Sequence, residues 1–252
     1  ALSSAASDVY KRQISQFKLK EIINQTIFST APNDNNKMMT GELFEVSENT
    51  LKVVGLDGHR IAIRNITLEG RADDVKVVVP GKTLQEISKI LSTDAENMVN
   101  IYFTNNHILF EFDNTIVVSR LIEGEYFKIS QMLSSDYETK VVINKKEFID
   151  SIDRANLLIT ESEKKPIIIN ITDGSLEVNV NSSKGKSNEN IDIKKEGKDL
   201  MIGFNPKFLM DALKVIDDET VDIYLVNPKA PCFIRDANQS YIYLILPVNF
   251  TA

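Results

Sequence analysis

Cysteine occurs once in the 252 residues, as Cys232, which excludes an intramolecular disulfide and a cysteine-built zinc cage. That scarcity suits a reducing compartment. Histidine occurs twice, as His59 and His107. No HExxH pair, glycine-rich phosphate loop or nucleophile elbow is present, so the common hydrolytic and phosphate-transfer motifs are missing. No apolar stretch approaches the length of a membrane-spanning helix. Positive charge is in the minority, 29 lysines and arginines against 36 acidic residues, for a net charge of −7. A surface coated in positive charge is thereby excluded, but a local lysine face is not. The acidic pairs Asp73-Asp74 and Asp217-Asp218 fall in loops and read as solvated turn residues, so no metal or other cofactor is expected.

What is present is the balance of a globular protein, 42% hydrophobic and 26% charged, with a length that fits two domains. The chain also repeats itself once, about 125 residues on, a period of domain duplication rather than of a solenoid. Lys20-Glu21-Ile22-Ile23 returns as Lys146-Glu147-Phe148-Ile149, and Val99-Asn100-Ile101-Tyr102 as Val221-Asp222-Ile223-Tyr224. Val79-Pro80-Gly81-Lys82 returns as Phe204-Asn205-Pro206-Lys207. Residues 1–13 stand apart: small and polar, without a continuing pattern, and without the apolar core of a signal peptide. They are expected to be a disordered or non-native leader. Two domains, 14–134 and 135–252, follow.

Each copy is expected to be α+β: a helix, four strands, a second helix and three or four further strands. The first helices are placed at Gln16 to Ser29 and Lys145 to Thr160, from apolar residues at helical spacing. Asn144 followed by Glu147 predicts a capped helix start. Strands are expected at 42–46, 51–56, 60–66 and 75–79, and again at 167–171, 176–181, 190–194 and 200–204. Hairpin turns are expected at Glu48-Asn49 and Asp173-Gly174. Second helices start at Pro80 and at Asn205-Pro206.

Three features bear on function. Lys82 and Lys89 lie opposite the apolar Leu84, Ile87 and Leu91, and Lys207 and Lys214 do the same in the second copy. With Lys18, Lys20, Lys145 and Lys146 on the leading helices they define a surface suited to a phosphate backbone read without regard to sequence. The bland alternative is ordinary solubilising charge. The second feature is Asp57-Gly58-His59-Arg60, which an enzyme reading makes a base, its orienter and an anion clamp, and a structural reading makes a tight turn. The third is Tyr241 to Val248, a strand closed by Pro247, which forms either a simple final strand or one wall of a peptide groove. A pure structural repeat is the remaining alternative.

The segments Leu19 to Ile23, Thr40 to Glu45, Asp57 to Ala62, Ile202 to Asn205 and Tyr243 to Val248 together resemble the bacterial DNA polymerase III beta subunits, the sliding clamps. The resemblance spans Ile14 to Phe250 and covers the second and third of that family's three domains, so the chain reads as a fragment without the first domain. It implies two tandem DNA-clamp domains, each with two helices packed on antiparallel sheets. It implies a non-catalytic bacterial cytoplasmic protein at the nucleoid, a subunit of a ring around duplex DNA. The expected partners are the polymerase III catalytic subunit, the clamp loader, and other polymerases and repair proteins that carry short clamp-binding peptides.

Carried over by position, the peptide groove between the two domains comprises Met39, Leu56, Gly58, His59, Arg60, Ile61, Phe127, Met132, Asn205, Phe208, Leu244, Leu246, Pro247 and Val248. Helices line the ring's hole, which makes the eight lysines the DNA-facing set. Leu157 and Leu158 match the ring interface, and without a first domain the fragment is expected to be monomeric. Phe127 stands where the family often has proline, and Asn249, like Asn36, stands where arginine is common. Those departures bear on peptide preference.

Overall fold

A computed structural model describes residues 10–160, 163 and 165–250, with the side chains of 70–72 left aside. The chain divides into two compact units, Ala1–Ile129 and Ser130–Ala252.

The first unit begins with β1 (Tyr10–Ser15) and α1 (Gln16–Asn24). Then come β2 (Gly41–Leu56), β3 (Arg60–Pro80), α2 (Gly81–Ile90), β4 (Met98–Phe103), β5 (His107–Phe112) and β6 (Thr115–Arg120). Strands β1, β4, β5 and β6 form an antiparallel sheet in that order, and β2 and β3 form a long antiparallel hairpin. In the second unit β7 (Thr139–Asn144) leads into α3 (Lys145–Asn156), then β8 (Ile167–Thr172), β9 (Ser175–Ser182), β10 (Gly185–Gly197) and β11 (Leu200–Phe204). After α4 (Pro206–Lys214) come β12 (Thr220–Leu225), β13 (Cys232–Arg235) and β14 (Tyr241–Ile245). Its strands run β11-β8-β9-β10-β7-β12-β13-β14. Among the described residues no helix is long and apolar enough to cross a membrane.

Helix α1 starts where Ser15 Oγ accepts from the Lys18 amide, and α3 where Asn144 Oδ1 accepts from Glu147. The two starts are structurally matched: the Gln16 amide donates to Asn97 O and the Lys145 amide to Glu219 O. The sequence match of Lys20 with Lys146 is therefore displaced by most of a helical turn. Each helix buries one stripe: Leu19, Ile22 and Ile23 on α1, Leu84 and Ile87 on α2, Phe148 and Ile152 on α3, Leu209 and Leu213 on α4. Each such side chain contributes about 2 kcal/mol of burial. Cys232 is also buried, which pushes its thiol up to about 12 and keeps it protonated.

Several expectations need correction. Among the described residues a strand, β1 or β7, precedes the first α-helix of each unit. Residues 1–9 of the expected leader lie outside the described residues, but Lys11, Arg12 and Gln13 pair with Tyr102, Ile101 and Asn100 of β4. The expected first-copy strands are halves of β2 and β3. Glu48 has a positive φ of 53°, but it marks a register shift inside β2 rather than a hairpin turn. Asp173-Gly174 is the hairpin turn expected. Helices α1 and α3 stop at Asn24 and Asn156, short of the expected ends; a 3-10 turn at Ile27–Ser29 follows α1. The units divide at Ile129/Ser130, a few residues before the expected join, because Arg235 of the second unit donates to Ser134 O and Ser135 O, each at 3.2 Å.

Glu42, on β2, is fully buried, and neither carboxyl oxygen has a hydrogen-bond partner. The nearby Thr26 hydroxyl donates to Ile22 O at 2.7 Å, so it offsets little of the burial that pushes the Glu42 carboxyl up to about 8. The folded protein thus holds a proton that the unfolded chain releases above its ordinary value of 4.5. Unfolding free energy is expected to fall by up to about 1.4 kcal/mol per pH unit from that ordinary value up to the folded one, then level off. Urea melts across that range check this. Glu42→Gln flattens the dependence, and an unchanged slope in the variant refutes the assignment.

Candidate functional site

The turn between β2 and β3 is held by one ion pair. Asp57 Oδ1 accepts from the backbone amides of His59 (3.0 Å) and Arg60 (3.2 Å), and Oδ2 takes Arg60 Nε at 3.0 Å. Arg60 Nη2 donates to Phe28 O at 2.5 Å, and its guanidinium lies 5.3 Å from the Phe28 ring centre. Arg60 is 7% exposed. It is therefore a structural brace and not the anion clamp of the enzyme reading, and the Asp57 carboxylate is spent on Arg60 and the turn amides. Gly58 has φ +84°, which favours glycine, and a Cβ there would meet only the Met39 methyl, at 3.9 Å. The turn thus exposes Gly58 and His59 above buried Leu56 and Ile61, with half-buried Met39 alongside. In the same unit Tyr126 donates its hydroxyl to Val54 O at 3.2 Å and meets the half-buried Phe127 edge-on at 5.5 Å.

The second unit carries its own cluster. Asn205 caps α4 by accepting from the Lys207 amide at 3.0 Å, and half-buried Phe208 follows. Leu244 is buried in β14, whereas Leu246 and Val248 beyond it are each 38% exposed. Pro247 between them is half-buried, and Met132 is exposed. The Val248 amide donates to Gly203 O at 2.8 Å, which ties the segment after β14 to β11.

The lysines divide by role. Lys20 Nζ donates to Leu91 O at 3.1 Å, and Lys145 Nζ donates to Ile216 O. Each caps carbonyls just past the end of α2 or α4, where the helix dipole is negative. Lys89, Lys146 and Lys207 are exposed but paired with Glu86, Asp150 and Asp211, each at 2.6 Å. Lys18, Lys82 and Lys214 are exposed and make no ion pair among the described residues. Leu157, at the end of α3, is 72% exposed; Leu158 is half-buried.

Residues 13–128 match the family described as DNA polymerase III beta subunit, central domain, and 130–249 the same subunit's C-terminal domain. The chain belongs to the DNA polymerase III beta subunit family. It is 35% identical over 236 residues to the beta sliding clamp of Streptococcus pneumoniae, covering 92% of this chain and 62% of that protein. To the beta sliding clamp of Staphylococcus aureus it is 35% identical over 240 residues, covering 94% and 63%. The chain thus spans less than two thirds of these curated relatives. A crystal structure described as a DNA polymerase III beta subunit from Eubacterium rectale superposes with a TM-score of 0.96 at 65% identity, over 100% of this chain and 68% of that one. The Bacillus subtilis sliding clamp gives 0.93 at 32%, over 99% and 68%.

The turn and the segment after β14 were readable in the sequence, but the residues that brace these two units' features were not. Phe28, Tyr126 and Gly203 act through backbone carbonyls or through space, and no sequence pattern announces either. Only the glycine of Gly203-Phe204-Asn205, in a strand where β-branched residues are favoured, gave a signal.

Arg60→Ala leaves the Asp57 carboxylate half-buried and without its ion-pair partner, and is expected to cost about 3 kcal/mol in a urea melt. Arg60→Lys recovers little, because an ammonium does not span Asp57 and the Phe28 carbonyl as the guanidinium does. A lysine variant as stable as the wild type refutes the brace.

Proposed function

We propose that the chain works as a DNA sliding clamp subunit: a processivity factor that encircles duplex DNA without reading its sequence and holds polymerases by short peptides. Catalysis then belongs to its partners. Those partners are the polymerase III catalytic subunit, the clamp loader, and other polymerases and repair proteins, in the bacterial cytoplasm at the nucleoid. The observation that carries this reading is the pair of clamp domains matched end to end by the family. Two further features support it. The turn at Gly58 and His59, with Met39 and Phe127 in the same unit, and in the other unit the strip from Leu246 to Val248, each offer apolar surface that suits part of an extended peptide. Exposed Lys18, Lys82 and Lys214, with the paired Lys89, Lys146 and Lys207, suit weak and salt-sensitive contact with phosphates. Such contacts permit sliding. Lys20 and Lys145, engaged with carbonyls, contribute field rather than direct contact.

We further propose that a ring forms through Leu157 and Leu158 against a domain of the first type, and that this chain by itself is a monomer. The exposure of Leu157 supports that assignment. The enzyme reading loses its footing because Asp57 and Arg60 are consumed by the turn.

The test is fluorescence polarisation with a labelled Gln-Leu-x-Leu-Phe peptide. Saturable binding in the micromolar range is expected, abolished in a variant lacking residues after Ile245. Truncating a single contact, as in Phe208→Ala, is expected to cost about 1–2 kcal/mol of affinity. A folded protein that binds no such peptide refutes the reading.

A further inference from the structure

The segment after β14 leaves the sheet with Leu246 and Val248 exposed, yet it follows one defined path along β11. Two contacts at Gly203 define it. The Val248 amide donates to Gly203 O at 2.8 Å. The face of Gly203 that would carry a side chain is filled: a Cβ there would lie 2.7 Å from Val248 O and 2.8 Å from Phe250 Cδ1. Gly203, unlike Gly58, has no positive φ, so backbone conformation does not explain the glycine. The reason for glycine is therefore space. The missing side chain lets the Phe250 ring and the Val248 carbonyl lie directly on the strand. Two residues on, Asn205 opens α4, which carries Phe208.

We propose that Gly203 and Phe250 form a latch that positions the strip Leu246 to Val248 against the start of α4, and so sets the affinity for the partner peptide. The inference rests on the peptide-surface reading above. Neither latch residue need touch the peptide; both are positioning residues. The energetic logic is preorganisation. The five residues 246–250, left loose, must be ordered on binding, and ordering reduces affinity. With the latch closed, one backbone hydrogen bond and one ring contact have already fixed it. A single methyl group at Gly203 opposes the carbonyl of Val248, which is backbone and can yield only by moving the strip.

The test compares wild type, Gly203→Ala, Phe250→Ala and Phe250→Leu, using the same labelled peptide together with amide hydrogen exchange at Val248. Gly203→Ala is expected to weaken binding about tenfold and to abolish Val248 protection, while amides of β8 and β12 stay protected. Phe250→Ala, on a segment outside the sheet, leaves folding intact and is expected to weaken binding severalfold; Phe250→Leu restores most of it. The double variant is expected to lose less than the sum of the two, because one latch is broken twice. If wild type binds peptide and both Gly203→Ala and Phe250→Ala bind within twofold of it, the latch is overturned while the peptide surface stands. A Val248 amide that exchanges freely in wild type overturns it as well. Failure of wild type to bind the peptide overturns the surface reading and takes with it the latch's role in affinity; Val248 protection then reports only whether the contact forms.

Discussion

Every helix in this protein must bury one stripe against strands of its own unit, and the rest of the structure follows from that constraint. Leu84 and Ile87 on α2, and Leu209 and Leu213 on α4, face inward at almost no exposure. A helix of ten residues or fewer is not stable alone, so packing rather than propensity holds it. The inward stripe fixes which side remains for water, and Lys82, Lys89, Lys207 and Lys214 occupy that side. The two-sidedness that makes the core thus also makes the cationic face. Lys20 and Lys145 reinforce it from the neighbouring helices by closing the carbonyl ends of α2 and α4.

The strands set the second layer of the structure. Long antiparallel hairpins place their turns away from the core, and the β2–β3 turn is stiffened by a nearly buried Asp57–Arg60 pair. Such a pair adds little net stability but is costly to break, and it leaves the turn one geometry. The result is a rigid presentation of Gly58 and His59 without any side chain at Gly58 to block approach. At the other unit the strip after β14 is held by far less, one amide and one ring, and so its order is the more easily tuned.

Much of this was legible in the residues, and the parts that were not share a cause. Helical spacing and the caps at Asn144 and Asn205 located α3 and α4 to within a few residues. The duplication predicted matching lysines on α2 and α4, and the structure matches those helices. It mismatched the first helices, because Lys20-Glu21 and Lys146-Glu147 look alike while the caps Ser15 and Asn144 set the real correspondence. Strands β1 and β7 were missed: Tyr10 to Ser15 is mostly polar, and its alternation is visible only once β4 is known to lie beside it. Glu48-Asn49 read as a turn because turn chemistry and bulge chemistry use the same positive-φ residues. The apolar strip and the turn were readable as motifs. Their supports were not, because Arg60 to Phe28 O, Tyr126 to Val54 O and Val248 to Gly203 O all end on backbone carbonyls, which every residue type supplies.

In the proposed reading the peptide meets the β2–β3 turn of one unit and the strip after β14 of the other, and DNA meets the lysine faces of the helices. Amide chemical shifts of the labelled protein, recorded as the clamp-binding peptide is added, test it most directly. Shifts are expected to concentrate at Gly58, His59, Phe208 and Leu246 to Val248, with Lys82, Lys89, Lys207 and Lys214 unmoved. Shifts centred on α2 and α4, with the β2–β3 turn unchanged, would contradict it.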